Sequence, residues 1–108
     1  MYFTLFKVDG SIVPLKRKPT IERLRKLLDC RFIESSLFGF YYNGKDHQDA
    51  EIAVDDFSLS DHKPINLKAT EGASRSMFWK NMAYKHDYGG RMVICGNAVI
   101  VTQEPLIE

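Results

Sequence analysis

The sequence has few cysteines, no long apolar run and no excess of either charge. Two cysteines, Cys30 and Cys95, cannot build the disulfide framework of a small secreted domain. The two could pair with each other, but set among hydrophobic residues and without a signal peptide they read as buried thiols in a reducing cytoplasm. Neither Cys-x2-Cys nor His-x3-His occurs, so the paired spacing of a metal site is missing and no cofactor is expected. No apolar run approaches the roughly 18 residues that span a bilayer, which argues against a membrane protein. Met1-Tyr-Phe-Thr-Leu-Phe-Lys7 has neither a basic n-region nor a small-residue cleavage site, so no signal peptide is expected. A net charge of +1 gives no overall drive towards nucleic acid or membrane.

What is present suits a packed domain. The hydrophobic fraction is 44% and the charged fraction 27%, with seven Phe, five Tyr and one Trp to fill a core. A chain of 108 residues buries roughly two-thirds of its unfolded surface and is expected to form one domain over residues 1–108. Its centre should be the β-branched stretch from Gly89 to Thr102, read as two short strands or one bulged strand. Tyr2 to Val8 predicts a strand, Asp9-Gly10 a hairpin turn, and Ser11 to Leu15 a return strand that Pro14 places at an edge. Thr20 is the expected N-cap of a helix whose stripe is Ile21, Leu24, Leu27 and Leu28. Asp29 ends it.

Arg31 to Phe38 opens a third strand, which Phe38-Gly-Phe-Tyr-Tyr42 continues or replaces. Asn43-Gly44 predicts a positive-φ turn, Lys45 to Asp49 a loop, and Glu51 to Phe57 a strand. Asn66 is the candidate N-cap of a second helical segment over Leu67 to Tyr84, weakened by Gly72: either one helix of low regularity or a short helix, a break and a second one. The expected fold is therefore α+β: a mostly antiparallel sheet of five or six strands with two helices. Ile21, Leu24, Leu28, Val93, Ile94, Val99 and Val101 are the expected core.

The order of these elements carries a resemblance. A hairpin is followed by a helix with Leu24 and Leu27-Leu28, then by a strand with Ile33-Glu34 and by Ala53-Val-Asp-Asp56. Asn66-Leu-Lys-Ala69-Thr70 comes next, and Gly96-Asn97-Ala-Val-Ile-Val101 closes the series. From about Gly10 to Thr102 the chain resembles a family of small uncharacterised domains of bacteriophages, other mobile elements and some bacteria. Its members share an Asn-x-x-Ala-Thr element and a late Gly-[Asp/Asn]-x-Val-[Ile/Val] strand. Asp29-Cys30 departs from it where the family tends to have glycine, and Glu71 to Tyr88 is longer and more aromatic. The resemblance implies no catalytic residues. It implies a setting, a small intracellular accessory protein that binds a host protein or small ligand, including an anti-CRISPR-like role against host defence.

Among candidate chemistry, His47, His62 and His86 fall in expected loops beside Asp46, Asp61 and Asp87, and read as solvated. Asn66 and Thr70 have two readings. They hold a ligand in a polar pocket, or Asn66 caps the helix and Thr70 satisfies a backbone group. As a simple cap, Asn66 should be replaceable by Asp or Ser. An enzyme would need Asn66, Thr70 and an Asp from Asp55-Asp56, which is no complete acid–base pair.

Charge is unevenly placed. Lys16, Arg17, Lys18, Arg23, Arg25, Lys26 and Arg31 form a basic third, and Asp46 to Asp61 an acidic middle. The basic face is a candidate partner surface, with Arg17, Lys18 and Arg25 as its named residues, and nucleic acid is one partner it would fit. Phe78, Trp79, Tyr84 and Tyr88 exceed what one helix stripe can bury and suggest an interface with a host protein or a second copy. Non-enzymatic binding is the leading expectation.

Overall fold

Ala98–Thr102 (β7) is the strand on which the fold is built, and all five of its residues are buried. In the computed structural model, which describes residues 1–58, 61–76, 87–88 and 91–107, β7 is the middle strand of an antiparallel five-stranded sheet. The others are Tyr2–Phe6 (β1), Ile12–Leu15 (β2), Ile33–Tyr42 (β3) and Lys45–Asp55 (β4), in the order β2-β1-β7-β4-β3. The helices are Ile21–Leu28 (α1) and Leu67–Arg75 (α2). Asp87–Tyr88 (β5) and Arg91–Met92 (β6) form a separate two-stranded ribbon. The chain is an α+β domain.

Alternation along the strands sends neighbouring residues to opposite faces, and each face has its own core. Val99 and Val101 join Leu5, Ala53 and Leu28 of α1. Ala98 and Ile100 join Phe6, Phe40, Ile52 and Val54 with Ala69 and Ala73 of α2. The helices therefore cover opposite faces, which explains why β7 is buried throughout rather than in alternation. On the α2 face Phe6 meets Phe40 edge-on at 5.3 Å between centroids. That packing is close enough to require Gly72. A Cβ there would lie within 2.7 Å of three Phe40 ring carbons. The glycine that weakens the helical pattern is thus the residue that lets α2 approach the sheet.

Local signals account for most boundaries. Asn43 (φ 49) and Gly44 (φ 84) are both left-handed, as a two-residue hairpin turn requires. Pro14 stands on edge strand β2, opposite Thr4. The Thr20 side chain accepts from the Arg23 amide, and Asp29 closes α1 in the left-handed region at φ 50.

Four expectations need correction. Lys45 to Asp49 is the first half of β4, not loop, because the Asn43-Gly44 turn sets its register against β3: Tyr42 pairs with Lys45 and Phe40 with His47. Two residues, Gln48 and Asp49, then oppose Gly39 in a bulge. His47 is accordingly a buried strand residue rather than a solvated loop residue. Burial and the neighbouring Lys45 hold its imidazole below the usual histidine range. Ile21 is 59% exposed, on the rim of a groove that it lines with Phe3, Leu24 and Ile33 rather than in the core. Finally, of the stretch from Gly89 to Thr102, Arg91–Met92 pairs in the separate ribbon and only 98–102 enters the five-stranded sheet. Val93 and Ile94 are buried outside it, and Cys95 makes an isolated bridge to Ile65.

Candidate binding surface beside the first helix

The Asn-x-x-Ala-Thr element occupies the junction of α2, β1 and the segment before β7. Asn66 is fully buried. Its Oδ1 accepts from the Ala69 amide at 3.2 Å, which is the N-cap bond. Its Nδ2 donates to the carbonyls of Phe6 at 2.8 Å and Gly96 at 3.0 Å. The Thr70 hydroxyl accepts from the Ile94 amide at 2.9 Å and reaches the Ile94 carbonyl at 3.3 Å. Of the two readings, the geometry is that of the cap, with two long-range bonds added to it. With no exposed surface and both Nδ2 donors engaged, Asn66 offers nothing to a ligand.

The Gly96-Asn97 element is structural in the same sense. Asn97 accepts from the Val8 amide at 3.0 Å and donates to the Leu27 carbonyl at 3.0 Å, tying the first hairpin to the end of α1.

Lys63 is a residue for which the chain offers no local signal. Its ammonium lies 2.8 Å from the buried Asp55 carboxylate and donates to the carbonyls of Leu28 at 2.9 Å and Asp29 at 2.6 Å. A cation at a helix C-terminus meets carbonyls without intrahelical partners and the negative end of the dipole. Asp55 also accepts from the Phe57 amide at 2.9 Å. An enzyme built on Asn66, Thr70 and Asp55 would have to use polar groups already engaged in holding the fold.

The basic third behaves differently. Lys16, Arg17, Lys18, Arg23, Arg25, Lys26 and Arg31 are all exposed. Among the described residues none of them is in an ion pair; the pairs present join Lys45 with Glu104, Lys63 with Asp55 and Arg75 with Glu71. Two of the depressions that adjoin α1 are lined by these cations. One, of about 480 Å³, runs along the β2–α1 connector and is lined by Lys16, Arg17, Lys18 and Arg23. The other, of about 710 Å³, lies at the C-terminal end of α1 and is lined by Arg25, Lys26 and Arg31. The arginine and lysine of the last turn suit the helix dipole, whereas the three cations ahead of its N-terminus oppose it.

The larger cleft contains two residues that sequence reasoning missed. Phe32 is 58% exposed and Phe57 47% exposed, and their rings meet edge-on at 5.6 Å. The sequence pattern places Phe32 inside the third strand and Phe57 at the end of the fourth, whereas β3 begins at Ile33 and β4 ends at Asp55, which leaves both rings just outside the ladder. Cys30 opens onto the same cleft, and burial pushes its thiol above the ordinary value. Cys95 is buried and its thiol is likewise raised by desolvation. Neither cysteine is in a disulfide.

Of the aromatic interface candidates, Phe78, Trp79 and Tyr84 lie outside the described residues, as does His86, and Tyr88 is described only as backbone in β5. Among the described residues no three potential ligands gather to hold a metal ion, and no helix is long and apolar enough to cross a membrane. No family model, curated protein or solved structure matches the chain.

Proposed function

We propose that this protein is a non-enzymatic binding module that engages an anionic macromolecule through the surface of α1. The observation that carries the reading is the set of seven exposed cations between Lys16 and Arg31, with no ion pair among the described residues. Only Glu22 and Asp29 stand against them in that span, although the whole chain carries just +1. The charge is segregated rather than large, and a local field is what a docking partner meets. Packing such cations together costs a little stability, since like charges three or four apart on a helix repel and Lys16 to Lys18 oppose the dipole. Phosphates or carboxylates of a partner would offset that cost.

The setting implied by the resemblance, a bacteriophage or mobile-element accessory protein acting against host defence, is compatible with this reading.

The test is salt elution from immobilised heparin. Arg17→Glu, Lys18→Glu and Arg25→Glu combined should elute well below wild type. The log–log salt dependence of binding should flatten, because each phosphate-type contact contributes a slope of about 0.7 to 0.9. Against the helix dipole the Arg25 reversal is unfavourable and the Arg17 and Lys18 reversals are favourable, so with all three side chains exposed the urea midpoint should shift little. Identical elution of the triple variant and wild type would remove the reading.

A further inference from the structure

We infer that the anionic partner is a single-stranded nucleic acid, and that the cleft at the C-terminal end of α1 seats an unpaired base against Phe32. This rests on the reading of α1 as an anion-binding surface and adds a chemical requirement to it. A pure polyanion needs only cations. The cleft supplies three kinds of group at once: Arg25, Lys26 and Arg31; the exposed Phe32–Phe57 pair; and the carboxylates of Asp29 and Asp61. Neither carboxylate is in an ion pair among the described residues.

Duplex DNA presents phosphates outward and keeps its bases stacked inside. It would find no use for a half-exposed aromatic pair, and Asp29 and Asp61 would repel it. An acidic peptide would meet the same repulsion. An unpaired base fits all three groups. Its π-face stacks on a phenyl ring, its amino and ring N–H groups donate to carboxylates, and its flanking phosphates meet the cations. The contact is edge-on, at an interplanar angle of 74°, so the pair is not closed face to face. The second basic depression, at Lys16 to Arg23, extends the cationic track along the same helix for the continuing backbone.

The experiment is fluorescence anisotropy with labelled single strands of about 15 nucleotides, as DNA and as RNA, beside the matching duplex and polyglutamate. Three proteins are compared: wild type, Phe32→Leu, which keeps apolar bulk without a π-face, and Phe32→Tyr, which keeps the ring. Urea midpoints and heparin elution are read in parallel. Single strands should bind at least ~10-fold tighter than the duplex. Phe32→Leu should weaken them at least ~5-fold with heparin elution unchanged, and Phe32→Tyr should restore binding. Binding in either the DNA or the RNA arm supports the inference, and the stronger arm names the source. Equal or tighter duplex binding, retention of polyglutamate alone, or an unaffected Phe32→Leu would overturn this inference and leave the anion-binding reading standing. A wild type that binds neither heparin nor any of these ligands overturns both.

Discussion

Asn66→Asp separates a helix cap from a structural junction. If Asn66 only capped α2, aspartate would serve as well, since it supplies the same acceptor to the Ala69 amide. The structure says otherwise. Nδ2 is the donor to two buried carbonyls, of Phe6 and Gly96. A carboxylate has no proton for either and would face both oxygens without water. Removing the side chain, as in Asn66→Ala, loses a cap worth about 1 kcal/mol and leaves two carbonyls unsatisfied at about 1–3 kcal/mol each. With partial relaxation the expected loss is ~3–5 kcal/mol, a large share of the about 5–15 kcal/mol available to a domain. At a urea m-value of about 1–1.5 kcal/mol/M, the midpoint should fall by roughly 2–5 M. Asn66→Asp should be no better than Asn66→Ala at pH 7.

It should also acquire a pH dependence that wild type lacks. Burial against two carbonyls raises the introduced carboxyl above its unfolded value of about 3.9. The native state then binds the proton more tightly than the unfolded state. The compensation is fully present below about pH 4 and lost as pH rises through the folded pKa. Urea melts followed by circular dichroism at pH 4 and pH 7 make the comparison. An Asn66→Asp variant within about 0.5 kcal/mol of wild type at pH 7 would refute the reasoning.

Gly72→Ala should destabilise by about 1 kcal/mol or more despite its better helix propensity, because the buried Phe40 ring has nowhere to go. Phe40→Leu should recover part of that loss in the double variant, and a stabilised single variant would show that α2 stands off the sheet. Lys63→Met should cost about 3–5 kcal/mol by leaving Asp55 buried and unpaired; a thermal melt matching wild type would contradict the ion pair. His47 resists protonation in the fold, so its contribution is present above the unfolded value of about 6.5 and is lost as pH falls towards the depressed folded value. Stability measured from pH 8 to 5 should carry that component in wild type and lack it in His47→Gln.

The chain order of strands and helices was legible in the sequence because the forces that mark it are local. A left-handed Asn43-Gly44, a Thr20 oxygen three residues from its amide and a proline on an edge strand each act within a few residues. The apolar character of Gly89 to Thr102 marked the centre of the sheet but not which part of it, 98–102, becomes the covered strand. Which groups meet across the fold was decided by tertiary structure. The Asn66 amide is completed by carbonyls 60 and 30 residues away, and Lys63 by Leu28 and Asp29, 35 and 34 residues away. Gly72 reads as a helix defect until Phe40 is set beneath it. Lys45 to Asp49 reads as loop until the hairpin register makes it a strand. The cleft is the clearest case. Its cations were visible as a run, but Phe32 and Phe57 come together only because β3 and β4 pair antiparallel, setting the entry of one strand beside the exit of the other. Periodicity records which way a side chain faces within its own element, and it holds no information about what another element places opposite.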